Sequence, residues 1–139
     1  MSEYSNFESR EANLKASAKD VYNFASDIRN FERFLPEGNV SNFNVSETDC
    51  SFDAQSIGNV RVVLFEKNPT NKVVYKALLF GSNEFLITML IEKNGDSDSL
   101  AYVGIKAILN PFMKMMVNEP IKKFLNILVD EMENFTAWK

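Results

Sequence analysis

The sequence contains no histidine, and this absence excludes several kinds of active site. Histidine is the usual general base at neutral pH and the commonest metal ligand in proteins. Serine or cysteine nucleophiles activated by histidine therefore cannot exist here. The single cysteine, Cys50, cannot form an internal disulfide bond or a thiolate zinc site. The sequence thus predicts no metal site and no cofactor, and it contains no recognisable catalytic motif.

Long apolar runs and leader-like features are also missing. Residues 1–6 lack the positive and apolar regions of a signal peptide, and no apolar run approaches the roughly 18 residues of a membrane helix. Together with the single cysteine, this favours a cytoplasmic protein without an integral membrane segment. Fifteen basic and nineteen acidic residues leave a net charge of −4, which disfavours nucleic acid and anionic membranes as partners.

The overall composition is typical of one folded domain spanning residues 1–139. The chain is 45% hydrophobic and has only 5 glycines and 4 prolines, which excludes disorder and low complexity. Ser17 followed by Asp20 resembles a capping box, and apolar residues recur at helical spacing from there until Pro36. We therefore predict two short helices, or one bent helix, over residues 18–35.

The segment from residue 40 to residue 109 alternates apolar and polar positions, which predicts an antiparallel meander. Turn-forming residues divide it into strands near 40–46, 50–56, 60–67, 72–80, 84–93 and 99–109. A short polar segment over 8–14 predicts one further strand. The expected total is seven strands in one antiparallel sheet.

A long C-terminal helix is predicted to begin at Asn110–Pro111, because asparagine caps free amides and proline suits the first helical position. Pro120 lies inside the helical pattern and predicts a kink, or a restart near Asn118. The apolar stripe of this helix is expected to comprise Met113, Val117, Ile121, Phe124, Leu128, Met132 and Phe135.

Charged residues such as Lys76 and Lys106 mark the outer face of the predicted sheet, so the alternate positions point inward. Glu66 is the one ionisable residue that this rule places inside. The inward strand positions include Val62, Leu64, Glu66, Tyr75, Ala77, Phe85, Ile87, Met89, Val103 and Ile105.

The order of elements is strand, two short helices, meander and long helix. With the segments over 16–24, 26–36 and 109–111, it resembles the α+β helix-grip fold of the START superfamily. This is the SRPBCC class, which includes birch pollen allergen relatives and polyketide cyclase/dehydrase-like proteins. The resemblance implies a cavity between a curved sheet and the long helix. It does not name a function, because members range from lipid carriers to cyclases to chaperone regulators.

The leading functional hypothesis is non-enzymatic binding of a small hydrophobic or amphipathic molecule, such as a lipid or polyketide-like compound. The candidate binding residues are the inward strand positions together with Met116, Ile121, Phe124 and Leu128. The alternative interpretation of the same residues is an ordinary packed core.

Two other functions stay open. The first is a polyketide cyclase or dehydratase in which Glu66 or Tyr75 transfers protons. The second is a protein-interaction or chaperone-regulator module, since the outer face is more apolar than solvation requires, and a homodimer would cover it. The apolar outer positions are Val74, Leu78, Phe80, Leu86, Leu90, Tyr102 and Ile108.

Overall fold

The structure is a computed structural model and describes residues 4–34, 40–54, 58–69, 71–79, 83–135 and 138. Two helices and one 3₁₀ helix accompany the strands in these ranges: α1 (Ala18–Ala25), the 3₁₀ helix (Ile28–Phe34) and α2 (Pro111–Asn134). The strands are β1 (Tyr4–Glu8), β2 (Ala12–Leu14), β3 (Val40–Val45), β4 (Asp49–Ala54), β5 (Gly58–Asn68), β6 (Lys72–Leu79), β7 (Asn83–Lys93) and β8 (Ser99–Ile108).

All the strands form one antiparallel sheet in the order β1-β8-β7-β6-β5-β4-β3, and β2 also pairs with β8. The predicted N-terminal strand over 8–14 is therefore two strands, and the first begins at Tyr4. Ser9 separates them, because its amide donates to the Val103 carbonyl at 2.8 Å while its hydroxyl accepts the Val103 amide at 3.0 Å. Within the described residues the sheet therefore has eight strands rather than the expected seven.

Both predicted helix starts are confirmed. The Ser17 hydroxyl accepts the Asp20 amide at 3.1 Å, and the Asn110 side chain accepts the Met113 amide at 2.8 Å. The predicted restart in the long helix is wrong, because α2 continues through Pro120 without a break. Proline removes the hydrogen bond to the carbonyl one turn earlier, and its ring crowds that carbonyl. That carbonyl belongs to Met116, a residue that is 45% exposed.

The helices cover one face of the sheet. α1 lies against β6, β7 and β8, the 3₁₀ helix lies against β3 and β4, and α2 lies beside β1 and β2. The buried face of α2 differs from the predicted stripe by including Leu125 and Val129, while Met113, Phe124 and Phe135 are only partly buried. The buried residues of α2 are Val117, Ile121, Leu125, Leu128, Val129 and Met132.

An ionic cluster joins the C-terminal half of α2 to the connection between β1 and β2. Arg10 Nη2 lies 2.6 Å from Asp130 Oδ1 and 2.7 Å from Glu133 Oε1. Glu133 Oε2 also accepts the main-chain amide of Asn13 at 3.0 Å. The pKa of Glu133 is lowered chiefly by its hydrogen bond to Arg10. These contacts orient the end of α2 over the sheet, and we call them the Arg10 clamp.

Candidate functional site

The inner face of the sheet brings most of the predicted binding residues together. Leu64 pairs with Tyr75, Tyr75 with Ile87, and Ile87 with Ile105, so these four side chains form one row across β5 to β8. The parallel row contains Val62, Ala77 and Phe85. The buried members of the predicted set are Val62, Tyr75, Ala77, Phe85, Ile87, Met89, Val103, Ile105, Ile121 and Leu128. Leu64 and Phe124 are partly buried and pack against the same core.

Tyr75 lies in the middle of this row and is only 4% exposed. Its hydroxyl donates a hydrogen bond to the carbonyl of Ala25, the last residue of α1. Burial in apolar surroundings raises the pKa of this hydroxyl well above its usual value. Tyr75 is therefore neutral at physiological pH and is hydrogen-bonded to the main chain, so it is badly placed to transfer a proton.

Aromatic rings fill the space between the 3₁₀ helix and the sheet. Phe31 meets the edge of Tyr75 with ring centroids 5.4 Å apart, and it stacks on Phe52 at 6.3 Å. Phe52 in turn stacks on Phe43 at 6.0 Å. We call these four residues the Phe31 cluster. The part of the interior that this cluster occupies is packed with side chains.

A second aromatic group lies where α1 meets the end of α2. The rings of Phe24, Phe135 and Trp138 contact one another at centroid distances of 5.0 to 5.4 Å. Trp138 is 3% exposed, although it follows the last helical turn. Trp138 is not among the residues predicted from the sequence, because a lone tryptophan after a helix carries no periodic signal.

Cys50 lies on β4 and is buried at 2% exposure. Burial, followed by the nearby charges of Asp49 and Glu32, raises the pKa of its thiol to about 12. A thiol that stays protonated at neutral pH is a poor nucleophile. Cys50 is therefore a buried core residue rather than a candidate nucleophile.

The inward placement of Glu66 is wrong. The register between β5 and β6 shifts between Leu64 and Glu66, so Glu66 pairs with Val74 on the outer face. Its side chain is 43% exposed, and its Oε2 lies 3.3 Å from Lys72 Nζ. A β-bulge adds one residue to a strand and reverses the alternation beyond it. Glu66 is therefore separated from the inner row.

Met116 also differs from its predicted position, because it is 45% exposed. It lies on α2 next to the buried Val117, and neighbouring residues of a helix point about 100° apart. Met116 is a candidate because methionine adapts to varied apolar shapes, and it is not part of the predicted apolar stripe of the helix. Met116 therefore lies outside the buried core.

The outer face of the sheet is mixed rather than uniformly apolar. Leu90 and Ile108 are 46% and 51% exposed, whereas Val74 is buried. Phe80 lies outside the described residues. An open concavity of about 440 Å³ on this face is lined by residues of β1, β7 and β8, among them Gly104. Its walls include Asn6, Glu8, Thr88, Leu90, Tyr102 and Lys106.

Neither helix in the described ranges is long and apolar enough to cross a membrane. No family model matches the sequence, and no curated protein matches it.

Solved structures do resemble the chain. A norcoclaurine synthase from Thalictrum flavum superposes with a TM-score of 0.77 at 12% identity, over 96% of this chain and 94% of that one. A START superfamily protein from Mycobacterium smegmatis gives 0.63 at 13% identity, over 94% and 99%. The di-domain ARO/CYC protein BexL from the BE-7585A biosynthetic pathway gives 0.63 at 17% identity, over 96% of this chain and 51% of that one. At these identities the likeness is one of fold.

Proposed function

We propose, from its helix-grip fold of the START superfamily, that this chain binds a small hydrophobic or amphipathic molecule between its sheet and α2. The observation that carries the proposal is the chemistry of the inner row. Leu64 and Ile87 flank the neutral Tyr75, and Ile105 continues the row. No charged side chain is buried in the described part of the chain. Such a surface suits a ligand whose buried part is uncharged.

Apolar burial is the source of affinity in this proposal. Each square ångström of apolar surface removed from water contributes about 25 cal/mol. Met89 adds a flexible, polarisable side chain, which adapts to ligands of different shape. A lipid or polyketide-like compound offers the extended apolar surface that this mechanism needs.

The ligand enters, in this proposal, by displacing Phe31. The ring of Phe31 covers Tyr75 and is carried by a 3₁₀ helix, whose hydrogen bonds are weaker than those of an α-helix. A ligand ring or chain that replaces Phe31 recovers the same contact with Tyr75. The Phe31 cluster is then the closed form of the binding site.

Proton-transfer chemistry is less well supported than binding. A cyclase-type activity is compatible with the fold, yet Tyr75 is hydrogen-bonded to Ala25 and Glu66 faces outward. An enzyme built on this interior would need a different acid or base.

The test is native mass spectrometry of freshly purified protein, compared with the denatured mass and followed by analysis of an organic-solvent extract. We expect a bound mass that is lost on denaturation, with an apolar molecule in the extract. A host cell that lacks the ligand would leave the site empty. Bare protein is therefore titrated with a fluorescent fatty acid. A bare mass together with no saturable binding of the fatty acid would contradict the proposal.

A further inference from the structure

The first turns of α2 carry a group of exposed apolar side chains that the interior site does not use. Phe112 is 73% exposed, Met115 is 81% exposed and Met116 is 45% exposed. They lie within five consecutive residues of one helix, so they form a local group rather than scattered exposed residues. Keeping three large apolar side chains in water costs free energy that burial elsewhere would recover.

Positive charge accompanies this apolar group. Lys114, Lys122 and Lys123 are exposed within residues 111–123 of α2, where Glu119 is the one acidic residue. We call Phe112, Met115 and Met116, with these three lysines, the α2 patch. The whole chain has a net charge of −4, so the α2 patch reverses the sign of the global charge locally.

The order of charges along α2 opposes helix stability. A helix dipole favours acidic residues near the N-terminus and basic residues near the C-terminus. α2 has no acidic residue in its first turn and no basic residue in its last turn. Its acidic residues, Asp130, Glu131 and Glu133, gather near the C-terminus, where the Arg10 clamp uses two of them. In the described part of the chain, no ion pair of this kind involves the lysines of the α2 patch.

We propose that the α2 patch docks this protein onto an anionic lipid surface. Phe112, Met115 and Met116 enter the boundary between headgroups and acyl chains. At about 100° per residue, Lys122 and Lys123 share their side of the helix and lie over anionic headgroups, while Lys114, on the other side, adds to the local positive charge. Apolar side chains beside lysines are the composition that binds helices to the surface of charged bilayers. A nucleic acid would satisfy the lysines but would leave the three apolar side chains in water, so a lipid surface fits the α2 patch better.

The net negative charge of the chain does not prevent this docking at physiological salt. Electrostatic interactions between exposed charges are screened over about 8 Å at that ionic strength. The acidic C-terminal half of α2 begins with Asp130, seven residues beyond Lys123, which is about 10 Å along a helix axis. Within residues 111–123 the three lysines face one acidic residue, Glu119, so this stretch of α2 carries a local charge of +2.

Co-sedimentation with vesicles tests the docking. The probes are vesicles of pure phosphatidylcholine and vesicles of an equal mixture of phosphatidylcholine and phosphatidylserine. We expect binding to the mixed vesicles, weak or no binding to phosphatidylcholine alone, and loss of binding when sodium chloride rises from about 0.1 M to about 1 M. Failure to bind mixed vesicles at low salt would overturn the proposal.

Two variants test the positive charge and the apolar side chains of the α2 patch separately. The triple change Lys114→Gln, Lys122→Gln and Lys123→Gln is expected to weaken binding at least about 25-fold, since Lys122 and Lys123 lie closest to the anionic membrane and contribute about fivefold each. The double change Phe112→Ser and Met115→Ser is expected to weaken binding at least tenfold. Both sets of side chains are exposed, so the variants should fold.

A matched control removes the same amount of charge elsewhere. Lys15, Lys67 and Lys93 are exposed and lie outside α2, so replacing all three with glutamine should leave most of the vesicle binding intact. An equal loss of vesicle binding in this control would show a bulk charge effect and overturn the proposal.

A contact between two copies of the chain is the alternative role of the α2 patch. A dimeric protein that becomes monomeric through Phe112→Ser and Met115→Ser, with vesicle binding unchanged, would identify this contact and overturn the proposal. Vesicle binding does not depend on an interior ligand, so its failure is distinguishable from a negative ligand assay.

Discussion

Tyr75 shows at the scale of one residue how burial decides chemical role. Its hydroxyl donates to the Ala25 carbonyl and thereby ties β6 to the end of α1. The same burial that makes this hydrogen bond valuable raises the pKa of the hydroxyl. We interpret Tyr75 as a structural anchor whose ring forms the floor of the proposed binding site.

The change Tyr75→Phe tests this interpretation. We expect the free energy of unfolding to fall by about 1–2 kcal/mol, because the buried Ala25 carbonyl loses its donor. Urea unfolding followed by circular dichroism measures the change. Tyr102→Phe is the control, since that hydroxyl bonds Glu11 at an exposed site and its loss should matter less. Equal effects from the two substitutions would argue against a buried anchor.

Cys50 makes stability depend on pH in the alkaline range. Its pKa is about 12 in the folded protein and near 9 in the unfolded chain, so ionisation favours unfolding. The stabilising contribution is complete below about pH 9 and is lost as pH rises towards 12. We expect the stability difference between the wild type and Cys50→Ala to shrink above about pH 9. Urea unfolding at a series of pH values checks this, and a constant difference would contradict it.

At the scale of elements, the Arg10 clamp holds the C-terminal half of α2 to β2. Replacing Glu133 with glutamine removes the carboxylate that bonds Arg10 and the Asn13 amide. We expect a lower Tm at neutral pH than for Glu131→Gln, an exposed control on the same helix. The folded pKa of Glu133 is lowered, so the clamp acts above the usual pKa of 4.5 and is lost as pH falls through the folded value. The two variants should therefore converge in acid, and a persistent Tm gap would contradict this role.

The 3₁₀ helix is the element that decides whether the interior is open. Phe31→Ala removes the ring over Tyr75 and leaves a cavity, which typically costs about 3–5 kcal/mol for a buried phenylalanine. We expect stronger binding of an environment-sensitive dye such as anilinonaphthalene sulfonate to the folded variant. Phe65→Ala is the control, because Phe65 is 54% exposed on the outer face. A folded Phe31→Ala protein with unchanged dye binding would contradict the proposed entry route.

At the scale of the whole molecule, the homodimer through the outer sheet face stays a prediction. Leu90 and Ile108 are 46% and 51% exposed on this face, while the ammonium of Lys76 lies 4.3 Å above the ring of the exposed Phe65 and places a charge on the same face. The double change Leu90→Asp and Ile108→Asp should convert a dimer into a monomer in analytical ultracentrifugation. Wild-type protein that sediments as a monomer would contradict the prediction.

Much of this architecture was predictable because its signals are local. The Ser17 and Asn110 caps act within one helical turn, and the meander follows from alternation and turn residues. The order of these elements was enough to identify the helix-grip fold. The bulge after Leu64 was not predictable, since no glycine or proline marks it, and the resulting shift moved Glu66 to the opposite face.

The sequence by itself determined the helix ends, most strand positions, the inward-facing rows and the lack of histidine chemistry, because each depends on residue type or on neighbours along the chain. Only the tertiary structure decided that Tyr75 bonds Ala25, that Phe31 covers Tyr75, and that Phe112 and Met115 stay in water. These facts depend on contacts between residues far apart in sequence, or on their absence. Periodicity constrains which face a side chain occupies, but it does not determine what that face meets.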